Sequence, residues 1–337
     1  MKPTNFARYL SDFFSVYLTT QKNVSKNTIY SYRDTFKLFL KYCQDVKSIA
    51  IERISLNSLT AELIKDFLNW LEDERKCSIS TRNQRLASIH SFFRYIQCEE
   101  PAGIHHFQQV MSISIKKTEK KVFEHLSPKA VKLILEQPYK YSQKGRRDLT
   151  LLSVLYDTGA RVQELIDIKV IDVTLDPPPV ISLTGKGNKV RRVPLMKNTA
   201  ALLQQYLLEN DLNKQWKNHY PLFKNNQHNK LTKEGIAYIL DKYVKMASAK
   251  SQIVPKRLSP HVIRHSKSMH LLQAGVNLIY IRDFLGHVDL KTTEIYARTD
   301  TETKRKAIEN AYPEIITDQL PDWSKDNGLL IWLSELK

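Results

Sequence analysis

Apolar residues recur at helical spacing through the first 108 residues and predict four helices there. The repeating positions are Phe6, Leu10, Phe13, Phe14, Tyr17, Tyr30, Phe36, Phe39, Leu40, Tyr42, Leu63, Phe67, Leu68, Leu71, Leu86, Ile89, Phe92, Phe93 and Ile96. A residue that can cap the helix precedes three of them: Ser25 or Asn27 for the second, Thr60 for the third, and Ser80 or Thr81 for the fourth. We therefore expect a helical unit with an aromatic core.

The pattern changes after Leu126, where two helices, a short β-hairpin and further helices are predicted. The runs that begin at Val180 and Val190 are rich in β-branched residues. The segment Thr184-Gly-Lys-Gly-Asn-Lys separates them, and its two glycines suit a turn. This hairpin would carry Lys186 at its tip.

The segment between these two parts breaks the helical periodicity. Its charged residues include Lys116, Lys117, Lys120 and Lys121. We interpret residues 109–125 as a basic linker, which would lie along a nucleic-acid backbone or act as a solvated hinge. The predicted order is a helical unit at 1–108, this linker, a mixed α/β unit at 126–315 and a tail at 316–337. The predicted fold class is mainly α with a small β-sheet.

The chain is strongly basic, with 52 Lys and Arg against 35 Asp and Glu and a net charge of +17. Residues 116–315 hold 35 of the basic and 20 of the acidic side chains, whereas residues 316–337 hold 2 and 4. A surplus of this size creates a field that attracts phosphate backbones. Nucleic acid is the expected partner, and a solvated basic surface is the alternative.

Cysteine usage and apolar runs indicate the environment of the protein. Cys43, Cys77 and Cys98 are odd in number and lack metal-ligand spacing, so we expect reduced thiols. The start has no apolar signal region, and no run approaches the ~18 apolar residues needed to span a bilayer. We expect a soluble protein in the cytoplasm that is not bound to a membrane.

Six side chains that can bind or attack a phosphate follow one another in the second part of the chain. They lie in the phrases Tyr156-Asp-Thr-Gly-Ala-Arg161-Val-Gln-Glu164-Leu, Thr184-Gly-Lys186-Gly-Asn-Lys189, Ser259-Pro-His261-Val-Ile-Arg264-His265, Leu285-Gly-His287 and Thr292-Thr-Glu-Ile-Tyr296. Arg264 precedes His287 by 23 positions, and His287 precedes Tyr296 by 9. In this order and spacing the set resembles the tyrosine recombinase family, which includes phage integrases and Xer-like proteins.

The six residues suit phosphoryl transfer. Arg161 and Arg264 offer planar forks that can bind both non-bridging phosphate oxygens and neutralise the charge of the transition state. Tyr296 is the candidate nucleophile, and because tyrosine has a reference pKa of about 10 it needs a base or nearby cations. His261 is the best candidate for that base. No Asp/Glu cluster with magnesium spacing accompanies the set, which favours transfer without a metal ion.

Ser259 and Pro260 form a favourable helix start, with serine as the cap and proline in the first turn. His261 and Arg264 then stand three positions apart on one helix face, from which both can reach one phosphate. His265 points elsewhere on this helix, and we expect it to be structural.

The resemblance implies the remaining roles. Lys186 would donate a proton to the leaving 5′-oxygen, with Lys189 as the second choice. His287 would hydrogen bond the phosphate, and Glu164 would orient its neighbours. Tyr296 would form a 3′-phosphotyrosine. The resemblance also implies double-stranded DNA with paired recombination sites as partner, a homo-tetramer on that DNA, a nucleoid-associated location and no cofactor. Accessory proteins are an open question.

Basic residues outside this set are candidates for DNA binding. The N-terminal part resembles the core-binding domain of tyrosine recombinases, and its basic faces would lie on a DNA groove. The residues that we expect to contact DNA are Lys26, Arg33, Lys37, Arg82, Arg85, Lys116, Lys117, Lys189 and Arg191.

Two other functions use the same features. A type IB topoisomerase would perform the same chemistry on one duplex without synapsis. A DNA-binding regulator would keep the scaffold without cleavage, and the six-residue set argues against it. The sequence does not distinguish integration, excision and resolution, and it does not define the target site.

The chain continues beyond Tyr296 into an apolar stripe that follows a glycine, Asn327-Gly-Leu-Leu-Ile-Trp-Leu-Ser-Glu-Leu-Lys337. An exposed stripe of this kind usually has a docking site. We expect the tail to dock on a neighbouring protomer, as in related recombinases, and docking on its own unit is the alternative.

Overall fold

The computed structural model describes residues 4–118, 125–225, 227–286 and 293. The chain divides into two compact units, Met1–Lys121 and Val122–Lys337. The described part of the first unit is helical, and the second combines helices with a small antiparallel sheet. The predicted fold class is confirmed. No helix in the described ranges is long and apolar enough to cross a membrane.

The first unit contains one more helix than the sequence pattern predicted. Its elements are α1 (Asn5–Asp12), which continues as a π-helix (Phe13–Gln21), α2 (Lys26–Asp45), α3 (Ala61–Asp73), α4 (Ile79–Glu99) and α5 (Ile104–Met111). The additional helix is α5, which buries Phe107 and Val110. Its apolar repeat spans only eight residues, too few to show a clear helical period.

Side-chain caps define where these helices begin. Ser25 caps α2 and Thr60 caps α3, as the sequence predicted. The cap of α4 is Ser78, whose hydroxyl accepts a hydrogen bond from the Thr81 amide at 3.2 Å. The prediction of Ser80 or Thr81 was wrong because the helix begins earlier, at Ile79.

The core of the first unit is aromatic, as predicted. Phe92 of α4 contacts Phe36 of α2 and Phe13 of the π-helix, with ring centroids 5.1 and 5.3 Å apart. Edge-to-face packing of this kind adds to the stabilisation from burial. Tyr30 differs from the prediction, since it is exposed and lies under the guanidinium of Arg33, 5.0 Å from its ring centroid.

The start of the predicted linker packs against the first unit. Helix α5 ends at Met111, and the carbonyl of Ser114 accepts a hydrogen bond from Arg82 at 3.1 Å. The backbone of Lys116 bonds to the side chain of Asn83, as donor at 3.1 Å and as acceptor at 2.7 Å. Side chains of α4 therefore hold the chain as far as Lys116.

The second unit surrounds its sheet with helices. Its elements are α6 (Pro128–Leu135), α7 (Gln143–Thr158), α8 (Val162–Asp167), β1 (Val173–Thr174), β2 (Val180–Thr184), β3 (Val190–Pro194), α9 (Lys197–Glu209), α10 (Lys233–Ser248), α11 (Pro260–Gln273) and α12 (Leu278–Leu285). The predicted hairpin corresponds to β2 and β3, and the short β1 pairs with β2 as a third strand.

Alternation along the hairpin separates a buried face from an exposed one. Ile181 pairs with Val193, and both side chains are fully buried. Successive residues of a strand point to opposite faces, so Arg191 lies on the same face as Val193. Arg192 lies on the other face and is exposed. The two neighbouring arginines therefore have different environments.

Candidate active site

The turn between α7 and α8 carries Arg161. Gly159 ends α7 in the left-handed conformation, with φ of +56°, and reverses the chain direction. Arg161 then begins α8, where its amide donates to Oε2 of Glu164 at 2.8 Å and its Nη1 donates to Oε1 at 2.7 Å. The Arg161 side chain is 35% exposed. Glu164, which was expected to orient its neighbours, thus pairs with Arg161 in the structure.

Glu164 is a buried carboxylate shared by three arginines. Its side chain is 4% exposed, and Arg191 grips it bidentately, with Nη1 2.9 Å from Oε1 and Nη2 2.7 Å from Oε2. Nη1 of Arg264 lies 3.9 Å from Oε2. We call Arg161, Glu164, Arg191 and Arg264 the Glu164 cluster. Burial alone would raise the pKa of Glu164, but hydrogen bonds from Arg191 and Arg161 outweigh it and lower the pKa to about 2.

The end of α12 supplies three consecutive carbonyls to the same arginines. The Phe284 carbonyl accepts from Nε of Arg191 at 2.9 Å, and the Leu285 carbonyl from Nη2 of Arg264 at 2.6 Å. The Gly286 carbonyl accepts from Nη2 of Arg161 at 3.4 Å. These terminal carbonyls carry the negative end of the helix dipole, which the guanidinium groups compensate.

These carbonyls could not be predicted from the sequence, because a backbone acceptor has no residue-type signature. The available signal was Gly286, since glycine after a helical repeat indicates a helix end. Its φ is +64°. His287, the next residue, lies outside the described residues.

Arg264 lies on α11 with a side chain only 5% exposed. Its Nη1 donates to the Gly159 carbonyl at 2.5 Å, and its Nη2 donates to the end of α12. The structure thus brings Arg264 and Arg161 together at Glu164. Phosphate binding by this pair stays a prediction.

The two histidines of α11 differ in environment. His261 is exposed in the first turn, whereas Arg264, one turn later, is buried. His265 is half-buried, and burial together with the charges of His261 and Arg264 lowers its pKa. The expected roles of His261 as a base and of His265 as a structural residue stay predictions.

The start of the hairpin turn brings the backbone of Gly185, the residue before Lys186, next to the Glu164 cluster. Residues Lys186–Asn188 form a tight turn in which Gly187 and Asn188 have φ of +73° and +59°, and the Gly185 amide donates to the Lys189 carbonyl at 2.8 Å. A Cβ atom at Gly185 would lie 3.1 Å from Oε1 of Glu164, so glycine permits this close approach. The side chain of Lys189 is exposed. The Lys186 side chain, Tyr296 and the tail at 316–337 lie outside the described part of the chain.

The residues expected to bind DNA fall into two groups. Five are exposed, as such contacts require: Lys26, Arg33, Lys37, Lys117 and Lys189. Lys116 is also exposed, and its Nζ pairs with Glu72 at 2.8 Å. The remaining three, Arg82, Arg85 and Arg191, are bonded inside the protein.

Arg82 and Arg191 are bonded within the protein. Arg82 is buried, with Nε 3.3 Å from Glu72 and Nη1 bonded to Asn83 and Ser114. It stands four positions before Leu86, on the core side of α4. Arg191 uses all three guanidinium nitrogens within the Glu164 cluster and at the end of α12. The expected contact with DNA did not anticipate these environments.

Arg85 is half-buried between two helices. Its Nη1 donates to the Ser31 carbonyl at 3.2 Å and to the Thr35 hydroxyl at 3.0 Å. These bonds join α4 to α2. Arg85 therefore contributes to the packing of the first unit. The sequence predicted only a contact with DNA.

We predict that Glu164 makes the second unit sensitive to acid. Its folded-state pKa of about 2 lies below that of an unfolded glutamate, so its stabilising contribution is present above pH ~4.5 and is lost as the pH falls towards 2. Glu164→Gln should lower the free energy of unfolding at neutral pH by on the order of 3 kcal/mol and should flatten its decline between pH 5 and 3. Denaturant unfolding at several pH values tests this. Glu136→Gln, at an exposed position, is the control, and equal pH profiles for both variants would contradict the prediction.

The sequence of this chain is similar to known proteins over most of its length. Residues 124–303 match the phage integrase family, and residues 12–100 match the phage integrase N-terminal SAM-like domain. The chain is 33% identical to a putative integrase/recombinase, y4rC, of Sinorhizobium fredii, over 99% of each chain. It is 30% identical to tyrosine recombinase XerD of Rickettsia bellii, over 89% of this chain and 97% of that one.

Solved structures show the same fold. The Tn1549 transposon integrase in complex with transposon right end DNA superimposes with a TM-score of 0.69 at 17% identity, covering 89% of this chain and 98% of that chain. The XerH site-specific recombinase bound to difH substrate superimposes with a TM-score of 0.65 at 24% identity, covering 87% of this chain and 81% of that chain.

Proposed function

The chain belongs to the phage integrase family of tyrosine recombinases, and we propose that it is a site-specific recombinase that cleaves and rejoins double-stranded DNA through a 3′-phosphotyrosine. The relative y4rC is named a putative integrase/recombinase, and XerD is named a tyrosine recombinase. The similarity to both extends over nearly the whole chain. The basic excess in residues 116–315 fits a polyanionic substrate.

The observation that carries this proposal is the convergence of Arg161 and Arg264 at one buried carboxylate. Two guanidinium groups held side by side can neutralise the charge that develops on a phosphate during nucleophilic attack. Glu164 fixes Arg161 at its Nη1, which leaves the 35% exposed side chain at the surface of the site. The arginine pair is therefore held at Glu164 before DNA binds, and preorganisation lowers the cost of reaching the transition state.

In the proposed reaction the phenolic oxygen of Tyr296 attacks the phosphorus, and the bond from phosphorus to the 5′-oxygen breaks. His261 takes the phenolic proton, and Lys186 gives a proton to the 5′-oxygen as it leaves. His287 hydrogen bonds a phosphate oxygen. Reversal of these steps with a 5′-hydroxyl from a second duplex completes strand exchange. The covalent intermediate conserves the energy of the phosphodiester bond for rejoining.

Assembly follows from the same proposal. Strand exchange needs two duplexes, so we expect four protomers on a pair of sites. In this tetramer the tail at 316–337 of each protomer would dock on a neighbouring protomer. Lys26, Arg33 and Lys37 on α2 are exposed and would contact the DNA backbone from the first unit. The cytoplasm, at the nucleoid, is the expected location.

The proposed function is tested by mapping covalent protein–DNA adducts. The protein is incubated with genomic fragments that flank its own gene, the mixture is denatured with detergent, and the trapped DNA ends are sequenced. Adducts at one sequence would support a site-specific recombinase. Relaxation of plasmids that lack this sequence, at a comparable rate, would favour a topoisomerase. Specific DNA binding without any adduct would favour a regulator.

Lys186 can be tested by changing the leaving group. Lys186→Ala should slow cleavage by on the order of 10² or more on normal DNA, because the 5′-oxygen leaves poorly without a proton. A substrate with sulfur at the bridging 5′ position needs no proton and should restore the rate. Lys189→Ala is measured in parallel on both substrates. Restoration by sulfur in Lys189→Ala and not in Lys186→Ala would move the general acid to Lys189.

A further inference from the structure

Arg191 lies on the inner face of the hairpin. It hydrogen bonds to two elements outside the sheet. It follows the turn residue Lys186 by five positions and shares its face with the buried Val193. Its side chain is 12% exposed, whereas the neighbouring Arg192 lies on the exposed face. A charged side chain is buried at a cost unless it is fully bonded, so its partners show what it holds in place.

The partners of Arg191 belong to two other elements of the site. Its Nη1 and Nη2 bind both oxygens of Glu164 on α8, at 2.9 and 2.7 Å. Its Nε donates to the Phe284 carbonyl at the end of α12, at 2.9 Å. One side chain thus joins the hairpin to the carboxylate that holds Arg161 and to the helix end that precedes His287.

Close packing at two glycines supports this arrangement. A Cβ atom at Gly286 would lie 3.0 Å from Nη1 and 3.1 Å from Cδ of Arg191. A Cβ atom at Gly185, next to Lys186, would lie 3.1 Å from Oε1 of Glu164, the carboxylate that Arg191 binds. The two glycines therefore allow the Arg191–Glu164 pair to approach the backbone at Gly185 and Gly286.

We infer that Arg191 is a positioning residue, which sets the distance of the Lys186 turn from the Glu164 cluster and does not contact DNA. This inference rests on the proposed function, because it assigns Arg191 to the alignment of the general acid with the arginine pair. Lysine cannot replace it, since an ammonium group lacks the planar fork that binds two carboxylate oxygens and a carbonyl together. Removing Arg191 removes its hydrogen bonds from the hairpin to both α8 and α12.

The first test compares cleavage by Arg191→Ala and Arg191→Lys at saturating protein, on normal DNA and on DNA with sulfur at the bridging 5′ position. Both variants should cleave normal DNA at least about tenfold more slowly than wild type, because misplacement of a catalytic group is costly. The sulfur substrate should return both to within about threefold of wild type, since it needs no proton from Lys186. DNA affinity should be unchanged.

The matched control is Arg146→Ala, which also removes a guanidinium bonded to a carboxylate and to a carbonyl, at 2.8 and 3.1 Å from Glu209 and Lys140. Arg146 lies near the start of α7, away from the Glu164 cluster. The Arg146→Ala variant should cleave both substrates at the wild-type rate. The inference is overturned if Arg191→Ala cleaves normal DNA like wild type, if sulfur does not relieve its defect, or if the defect reflects weaker DNA binding.

A second readout does not depend on cleavage. Hydrogen exchange of the backbone amides at residues 184–190 is measured in the DNA-free protein. The amides of Arg191→Ala should exchange at least about threefold faster there than those of wild type and Arg146→Ala, because the hairpin has lost the Arg191 hydrogen bonds to α8 and α12. Unchanged exchange would overturn the positioning role. If the wild-type protein cleaves neither substrate, the proposed function fails, and the exchange comparison still decides whether Arg191 holds the hairpin.

Discussion

Tyr296→Phe is expected to abolish covalent capture of DNA and to leave DNA affinity within a few-fold of wild type. The substitution removes only the hydroxyl that would attack phosphorus, so no phosphotyrosine can form. The measurement uses a duplex nicked next to the mapped cut, from which the short 5′-hydroxyl fragment is lost after cleavage. Wild-type protein then accumulates as an adduct that survives detergent, and the variant should show none.

Tyr280→Phe is the control for this experiment. Tyr280 is an exposed tyrosine on α12, and its loss should change adduct formation little. If Tyr296→Phe forms adduct like wild type, the assignment of the nucleophile is wrong. If both variants lose the adduct, the effect of Tyr296→Phe is not specific to the attacking hydroxyl.

Loss of either arginine of the proposed phosphate clamp is expected to slow cleavage by on the order of 10² or more. Arg161→Ala removes a 35% exposed guanidinium and should affect mainly the rate. Arg264→Ala also leaves the Gly159 and Leu285 carbonyls without their donor, so it should lower the melting temperature as well. Cleavage rates at saturating protein and melting temperatures separate these two effects.

Arg161→Lys and Arg264→Lys keep the charge and remove the planar fork. Both should stay well below the wild-type rate if bidentate contact with phosphate matters. Cleavage by the alanine variants within a few-fold of wild type would show that the clamp is misassigned. A rate that falls only in proportion to the folded fraction would assign Arg264 a structural role.

The sequence predicted the helix starts and turns of the site better than the hydrogen bonds that join them. The glycines around Lys186 and the proline after Ser259 are local signals, and the structure has the turn and the helix start where they indicated. The pairing of Glu164 with Arg161 also follows from spacing along one helix turn. These features depend on residues close in sequence, where backbone preferences act directly.

The sequence did not predict the environments of Arg191 and Arg82, which depend on distant elements. Arg191 was assigned to DNA by its charge, although alternation with Val193 places it on the inner face of the hairpin. Arg82 was assigned in the same way, although it lies one helical turn before Leu86 on the core side of α4. Their partners come from other elements, and only tertiary packing brings these together.

The proposed chemistry is tested by identifying the residue and the DNA end that are joined. The trapped adduct is digested with protease and nuclease, and the modified peptide is sequenced by mass spectrometry. We predict one modified residue, Tyr296, linked to the 3′-phosphate of the cut strand, with a free hydroxyl on the new 5′ end. A link to another residue, or to the 5′ end of the cut strand, would contradict the proposed mechanism.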